Sequence, residues 1–305
     1  MKQEDKEYLD ILEVLSSDTF RILANNSLKD KIFRRILILK YFLKGKIGFS
    51  KTFLNLLPTR LRPYCFLGNK YNFEFLNLLG FKLNYLFFID TLAMVKELVA
   101  LDQYCAKEFI KDNLAIIDVG ANIGIFSLFV HYLSPNSHVY CFEPFSKAFD
   151  VLEKNVLDND LSSHLHVFNQ ALGDKNAYTR LMISPGGSTG NMLEDSRFLK
   201  GKEKIFNKSE NISLTTLDEF IGKNKINKVD FIKIDAEGYE REIINGAKQT
   251  IKKFHPVIAC SAYHLSEDKT EIPKLVLEIE PKYKYRLEKC VEEDFIFLVL
   301  KIPNS

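Results

Sequence analysis

Apolar positions change their period near residue 110 of this 305-residue chain. Before that point they recur at helical spacing in Tyr8–Leu23, Ile32–Leu43 and Thr91–Ile110. Pro58, Pro63 and Gly68 mark loops between these stretches. The pattern predicts a helical region over residues 1–108 and a second domain over 109–305. In the second, short β-rich runs fall at Leu114–Val119, His138–Phe142, His164–Asn169, Val229–Ile234 and Val257–Ser261. Helical stretches at Ile125–Tyr132, Lys147–Leu157, Tyr239–Lys252 and Asp268–Leu277 separate or follow most of them. Such alternation implies an α/β fold with a parallel sheet covered by helices on both faces. The end of the chain breaks the rule. Tyr283–Lys289 and Phe295–Lys301 flank Glu292, Glu293 and Asp294, which predicts a closing antiparallel hairpin. A β segment at Tyr178–Ile183 and another before Thr216 form an insertion between the third and fourth core strands.

Composition narrows the class only a little. Hydrophobic residues make up 46% of the chain, enough for a sizeable core. The formal charge of +2 carries no nucleic-acid signature. Five cysteines (Cys65, Cys105, Cys141, Cys260, Cys290) lack C-x-x-C spacing, so they read as reduced thiols of a cytoplasmic protein. Lys40, Lys44, Asp90 and Lys96 interrupt the apolar runs before any reaches membrane-spanning length. Between Lys29 and Arg62 the chain carries ten basic residues and one acid among Ile, Leu and Phe. This basic amphipathic segment, 29–62, suits an anionic inner-membrane surface or a partner, and more plainly a solvated helical face.

The chemistry begins at Ile116–Gly124, I-I-D-V-G-A-N-I-G. An apolar strand carries Asp118 near its end, breaks at Gly120 and restarts as a helix at Gly124. The spacing is G-x-N-x-G, not the G-x-G-x-x-G of a dinucleotide site. An acid at Asp118 would repel a pyrophosphate. It suits a cationic, amine-bearing ligand, and S-adenosylmethionine carries both a sulfonium and an α-amino group. Gly120 and Ala121 let the backbone approach such a ligand, Gly124 lets the helix pack closely, and Asn122 tolerates a left-handed φ. Glu143 lies nineteen residues after Gly124 at the next strand end, where a carboxylate accepts hydrogen bonds from ribose hydroxyls. NAD would ask for the same group. Asn169 to Asp174 close the third strand. The Asn169 and Gln170 amides there can read an adenine edge, with Ala171 beside them at the cofactor, or the segment simply reverses the chain.

The second informative run, Val229–Glu240, delivers Asp235 and Glu237 to the carboxyl edge of the sheet. Two carboxylates there can orient an acceptor hydroxyl, remove its proton or hold a divalent cation. No further metal ligand is evident from the sequence. The plainer reading of Glu237 is a helix-start acid paired with Arg241. His264 follows the fifth strand on the same edge and is a candidate general base. His164 and His166 share a strand face and read as structural. Gly186–Asn191 reads as a surface loop of the insertion or as a lid.

Taken together, these motifs resemble the FkbM-type methyltransferase family. The likeness rests on I-I-D-V-G-A-N-I-G, C-F-E-P, Q-A-L-G-D, Leu214–Phe220 (L-T-T-L-D-E-F), D-F-I-K-I-D-A-E-G-Y-E and S-A-Y-H, in order, over residues 102–280. It implies a class I, Rossmann-like fold with a mostly parallel seven-stranded sheet, and S-adenosylmethionine as methyl donor. It also implies O-methylation of a small-molecule or glycan acceptor, with Asp118, Gly120, Glu143 and Gln170 on the donor and Asp235 at the sheet edge. The expected reaction is in-line displacement, with Asp235 or His264 as base and Glu237 orienting the acceptor. Two rival readings are an NAD-dependent oxidoreductase using the same cleft and a binding module with a decayed active site.

Overall fold

The computed structural model describes residues 9–10, 75–185, 189–289 and 292–299. The helical stretch expected at Ile32–Leu43, the basic segment 29–62 and nearly all of Tyr8–Leu23 lie outside them. Leu9–Asp10 is instead a short strand, β1, parallel to β2 (Phe75–Leu78). β2 turns into β3 (Phe81–Asn84) through Leu79 and Gly80, both at positive φ (55° and 92°). That is the backbone of a type I′ hairpin, and Asn77 Oδ1 braces it by accepting from Gly80 N at 2.9 Å. The described part of the region before residue 108 is therefore not purely helical. Leu76, Leu78 and Leu83 of the hairpin are buried in the same apolar core as the rest of the molecule.

The helix expected over Thr91–Ile110 is broken into three. α1 (Phe88–Val95) continues as a π-helical turn, Lys96–Ala100, and α2 (Ala106–Phe109) follows after Cys105, which sits at φ 53°. Beyond it the strands alternate with helices as the spacing predicts. They are β4 (Ala115–Val119), α3 (Ile125–Leu133), β5 (His138–Phe142), α4 (Ser146–Leu157) and β6 (Leu165–Phe168). The insertion supplies β7 (Ala171–Leu172), β8 (Ala177–Ile183), β9 (Met192–Leu193) and β10 (Lys208–Thr215), and α5 (Leu217–Lys223) leads back. Next come β11 (Phe231–Ile234), α6 (Glu240–Asn245), α7 (Lys248–Phe254), β12 (Val257–Ser261) and α8 (Asp268–Ile279). The hairpin β13 (Lys284–Lys289) and β14 (Glu293–Leu298) closes the fold. The helix expected over Tyr239–Lys252 divides at Gly246, where a Cβ would lie 1.9 Å from the Gly173 carbonyl oxygen.

Seven strands form the main sheet in the order β13-β14-β12-β11-β4-β5-β6. β12, β11, β4, β5 and β6 are parallel; β14 runs antiparallel to β12 and to β13. The insertion makes its own four-stranded sheet, β7-β10-β8-β9. β4 is buried along its whole length and packs between β5 and β11. The chain leaves β4 toward β5 and β6 and later returns on its other side as β11. Ligands bind at such a switch point, beyond the carboxyl ends of the strands. The loops after β4, β5, β11 and β12 all open there.

Candidate active site

A cleft of about 540 Å³ lies over this edge of the sheet, within the range of small-molecule sites. Its floor is the glycine loop after β4. Gly120 adopts φ +72°, and a Cβ there would sit 1.9 Å from the main-chain oxygen of Asp235. No side chain fits. Asn122 is also left-handed (φ 50°), and its own Oδ1 accepts from Ile123 N at 2.9 Å. Gly124, at φ +89°, starts α3, where a Cβ would meet Leu152 Cδ1 at 2.6 Å.

Glu143 closes β5 beside this loop. Its carboxylate accepts from Asn122 N and Phe145 N, each at 2.8 Å. Burial outweighs these bonds and lifts the carboxyl to about 7. Asn169 does not face the cleft as an adenine reader. Its amide donates to the carbonyls of Glu143 and Pro144 at 2.9 and 3.1 Å, tying β6 to β5. Gln170 and Ala171 do line the cleft, as do Gly120, Ala121 and Asn122.

Asp118 is the main departure from the sequence reading. Its side chain is 0% exposed and does not line the cleft; neither does Gly124. Asp118 Oδ1 lies 3.1 Å from Lys233 Nζ, and Oδ2 accepts from Ser127 Oγ at 2.6 Å. The charge that seemed available to a cationic ligand is neutralised inside the protein. Lys233 was not singled out from the sequence, although it stands directly opposite Asp118 in the β4–β11 register. Its ammonium also donates to the carbonyls of Val119 and Gly120 at 3.1 and 2.7 Å, which fixes the start of the glycine loop. Burial pulls its pKa down, but the carboxylates of Asp118, Asp235 and Glu143 more than offset this and hold it charged.

The other wall carries the acids and the histidine. Asp235 receives hydroxyl donors on both oxygens: Tyr104 on Oδ2 at 3.0 Å and Tyr263 on Oδ1 at 3.2 Å. Glu237 holds a strained φ of 50°, and its Oε1 accepts from Gly190 N at 2.7 Å. It does not pair with Arg241, which binds Asp268 at 2.6 Å instead. His264 is 3% exposed and points its Nε2 toward Glu237 Oε2 (3.4 Å) and Asp235 Oδ1 (3.9 Å). Its Nδ1 lies 2.9 Å from Glu240, a carboxylate that is 1% exposed and anchored by Ala236 N and Gly238 N. Burial disfavours the charged ring, yet Glu237, Glu240 and Asp235 push its pKa up to about 11. These carboxylates favour the protonated ring, so His264 is not poised as a free base, contrary to the simplest reading of its position.

Asp235, Glu237 and His264 thus converge, as their places at strand ends predict. Tyr104, Tyr263 and Glu240 belong to the same cluster and went unread in the sequence. The segment at 189–191 also lines the cleft through Gly190 and its neighbours, so the end of the predicted surface loop contributes to the site; residues 186–188 lie outside the described residues. α1 and its π-helical extension add Met94, Glu97 and Leu98 to the wall. Burial, with Glu292 and Asp235 nearby, lifts the Glu97 carboxyl to about 7. Among the described residues, no helix is long and apolar enough to cross a membrane.

A seven-stranded, mostly parallel sheet with a terminal antiparallel hairpin, and a cleft over its switch point, defines a class I Rossmann-like methyltransferase fold. The methyltransferase FkbM domain model matches residues 118–287, more than half of the chain. The chain belongs to that family. It is similar to methyltransferase sdnD of Sordaria araneosa, with 28% identity over 45% of this chain and 61% of that one. The 2-O-methyltransferase NoeI of Sinorhizobium fredii is 24% identical over 47% of this chain and 61% of its own. The 31-O-demethyl-FK506 methyltransferase FkbM of Streptomyces tacrolimicus is 25% identical over 44% and 59%. The chain spans about six tenths of the length of these relatives. Among solved structures, methyltransferase FkbM of Methylobacillus flagellatus aligns with a TM-score of 0.48 and 19% identity, covering 68% of this chain and 54% of that one.

Proposed function

We propose that the protein transfers a methyl group from S-adenosylmethionine to a hydroxyl of a small-molecule or glycan acceptor. The observation that carries the proposal is one cleft with two chemically distinct walls. The glycine loop and the Glu143 carboxylate line one part of it, and Asp235, Glu237 and His264 line another. The donor wall fits an adenosine ligand. Gly120 lets the loop pack against the Asp235 main chain beside the cleft, Glu143 keeps acceptor capacity for ribose hydroxyls, and the Gln170 amide can pair with a base edge. Two of the relatives are named as O-methyltransferases or as acting on an O-demethyl substrate, which favours oxygen as the acceptor atom here.

The bound cofactor supplies an electrophilic methyl group on a sulfonium. The protein supplies alignment and proton management. Holding the acceptor oxygen in line replaces a bimolecular encounter with a positioned one, worth several powers of ten. A sugar hydroxyl is a weak nucleophile, so its proton must leave during attack. Asp235 is the group for this: it opens onto the cleft, and Tyr104 and Tyr263 fix both its oxygens. Glu237, pinned by Gly190, binds a second hydroxyl of the acceptor. Glu240 sets a carboxylate 2.9 Å from Nδ1 of the His264 ring.

Asp235→Asn tests the assignment. Turnover should fall by about 10²–10⁴-fold, the usual worth of a positioned base. S-adenosylhomocysteine should still bind within about twofold of wild type, since the donor wall is untouched. Full turnover in this variant would remove Asp235 from the reaction. An NAD-dependent reaction in the same cleft is the rival, and titration with both cofactors separates the two.

A further inference from the structure

We infer that the cluster beneath the acceptor wall is a binding site for one divalent transition-metal cation, held by Asp235, Glu240 and His264. The inference rests on the proposed methyl transfer for its role but not for its geometry. A carboxylate oxygen from each acid and a ring nitrogen of the histidine lie within 4.8 Å of one another. Glu237 adds a further oxygen 3.4 Å from His264 Nε2. The acids alone would not carry the argument, because acidic clusters are common. The histidine does.

His264 has a side chain that is 3% exposed, and neither of its nitrogens makes a hydrogen bond. A Glu240 oxygen lies 2.9 Å from Nδ1 and a Glu237 oxygen 3.4 Å from Nε2, at the two nitrogen edges of the ring, without forming hydrogen bonds. Oxygens so placed can join one ring nitrogen as co-ligands of an ion, which on binding displaces the proton that these carboxylates otherwise favour. In a tetrahedral site with bonds of about 2.1 Å, the nitrogen and a neighbouring ligand oxygen are about 3.4 Å apart, and the oxygen necessarily lies off the N–metal axis. The ligand atoms, now within 4.8 Å of one another, would have to draw together toward that spacing to hold an ion.

The ligand types favour a first-row divalent ion over calcium or magnesium. One imidazole with carboxylates suits Mn²⁺ or Zn²⁺, whereas the harder ions prefer an all-oxygen set. The surroundings fit as well. Glu240 is anchored by the amides of Ala236 and Gly238, and Asp235 by Tyr104 and Tyr263, which is the outer-shell support that ligating groups require. Asp235 and Glu237 also face the cleft, so a hydroxyl entering beside them would reach the ion. An ion there offsets the carboxylate charge and acts as a Lewis acid toward that hydroxyl.

The test uses the full chain, stripped with chelator and dialysed. Mn²⁺ is titrated by calorimetry and by loss of its free-ion electron paramagnetic resonance signal, and Zn²⁺ is titrated in competition. S-adenosylhomocysteine is titrated on the same sample. One tightly bound Mn²⁺ or Zn²⁺ per chain is expected, weakened at least tenfold in both His264→Ala and Asp235→Asn. Asp235→Asn guards against a folding artefact, because its side chain reaches the cleft and its melting temperature and donor binding can be checked. No stoichiometric binding of either ion by wild type, or unchanged binding in both variants, overturns the site. S-adenosylhomocysteine binding without metal binding would sink the cation site and leave the methyltransferase reading standing. Metal binding without donor binding would do the reverse.

Discussion

Replacing Lys233 with methionine probes the pairing that most changes the reading of the glycine loop. Lys233 and Asp118 are 3% and 0% exposed and 3.1 Å apart. At an effective dielectric of about 20, that separation corresponds to roughly 5 kcal/mol of attraction. Desolvation of both groups cancels much of it, so the intact pair adds little net stability. Removing one partner is different. Methionine keeps the volume but leaves Asp118 charged and buried with only Ser127 as donor, which costs about 3–5 kcal/mol. For a domain of this size, each kcal/mol lowers the melting temperature by about 2–4 °C, so Lys233→Met should melt roughly 6–20 °C early. The variant also frees the carbonyls of Val119 and Gly120, so donor affinity should fall alongside. Adding Asp118→Asn removes the stranded charge, and the double variant should recover part of the lost stability. Scanning calorimetry on the two single variants, the double variant and wild type completes the cycle. If Lys233→Met melts with wild type, or if the double variant is no more stable than Lys233→Met, the buried pair does not govern the loop.

The other expectations can be checked with the same protein. Gly120→Ala forces a left-handed alanine, at about 1–2 kcal/mol, and a Cβ into the Asp235 carbonyl; donor affinity should drop at least tenfold, and a change under twofold contradicts the close approach. Glu143 has its pKa lifted to about 7 by burial, and ribose hydroxyls bind its ionised form, so protons compete with the donor. Donor affinity should be flat above neutrality and weaken by up to about tenfold per pH unit below about 7, a dependence that Glu143→Gln should abolish. His131 and His166 have their pKa values lowered by burial first, then by neighbouring histidines, in a cluster where His138 Nδ1 lies 3.1 Å from His166 Nε2. The folded state then binds fewer protons than the unfolded chain below about 6.5, so stability from this cluster is lost as pH falls through that value. His166→Phe should flatten the acid side of a melting-temperature profile, and an unchanged profile would exclude the cluster as its source.

Much of this was legible from the chain because parallel strands are apolar throughout and end in abrupt turns. The runs at His138–Phe142 and Val257–Ser261 coincide with β5 and β12, and the acids and histidine at the strand ends do share one edge. What stayed hidden depends on which strand lies beside which. Lys233 looks like an interruption of an apolar strand until β11 is set against β4, where it faces Asp118 across the register. Tyr104 and Asp235 are likewise distant in sequence and meet only in the packed molecule. Glu240 went unread because no local spacing reveals that its carboxylate lies 2.9 Å from His264 Nδ1. The β2–β3 hairpin was missed for another reason. Leu79-Gly80 is an unusual type I′ turn, and the leucines around it also satisfy a helical spacing.

The central claim is that the cleft takes a methyl donor on its glycine-loop wall. Calorimetric titration of the full chain with S-adenosylmethionine, and separately with NAD, tests it most directly, with Glu143→Gln as control. The account predicts one equivalent of S-adenosylmethionine bound, clearly weaker binding in the variant, and no heat from NAD. Saturable binding of NAD with none of the methyl donor would contradict it.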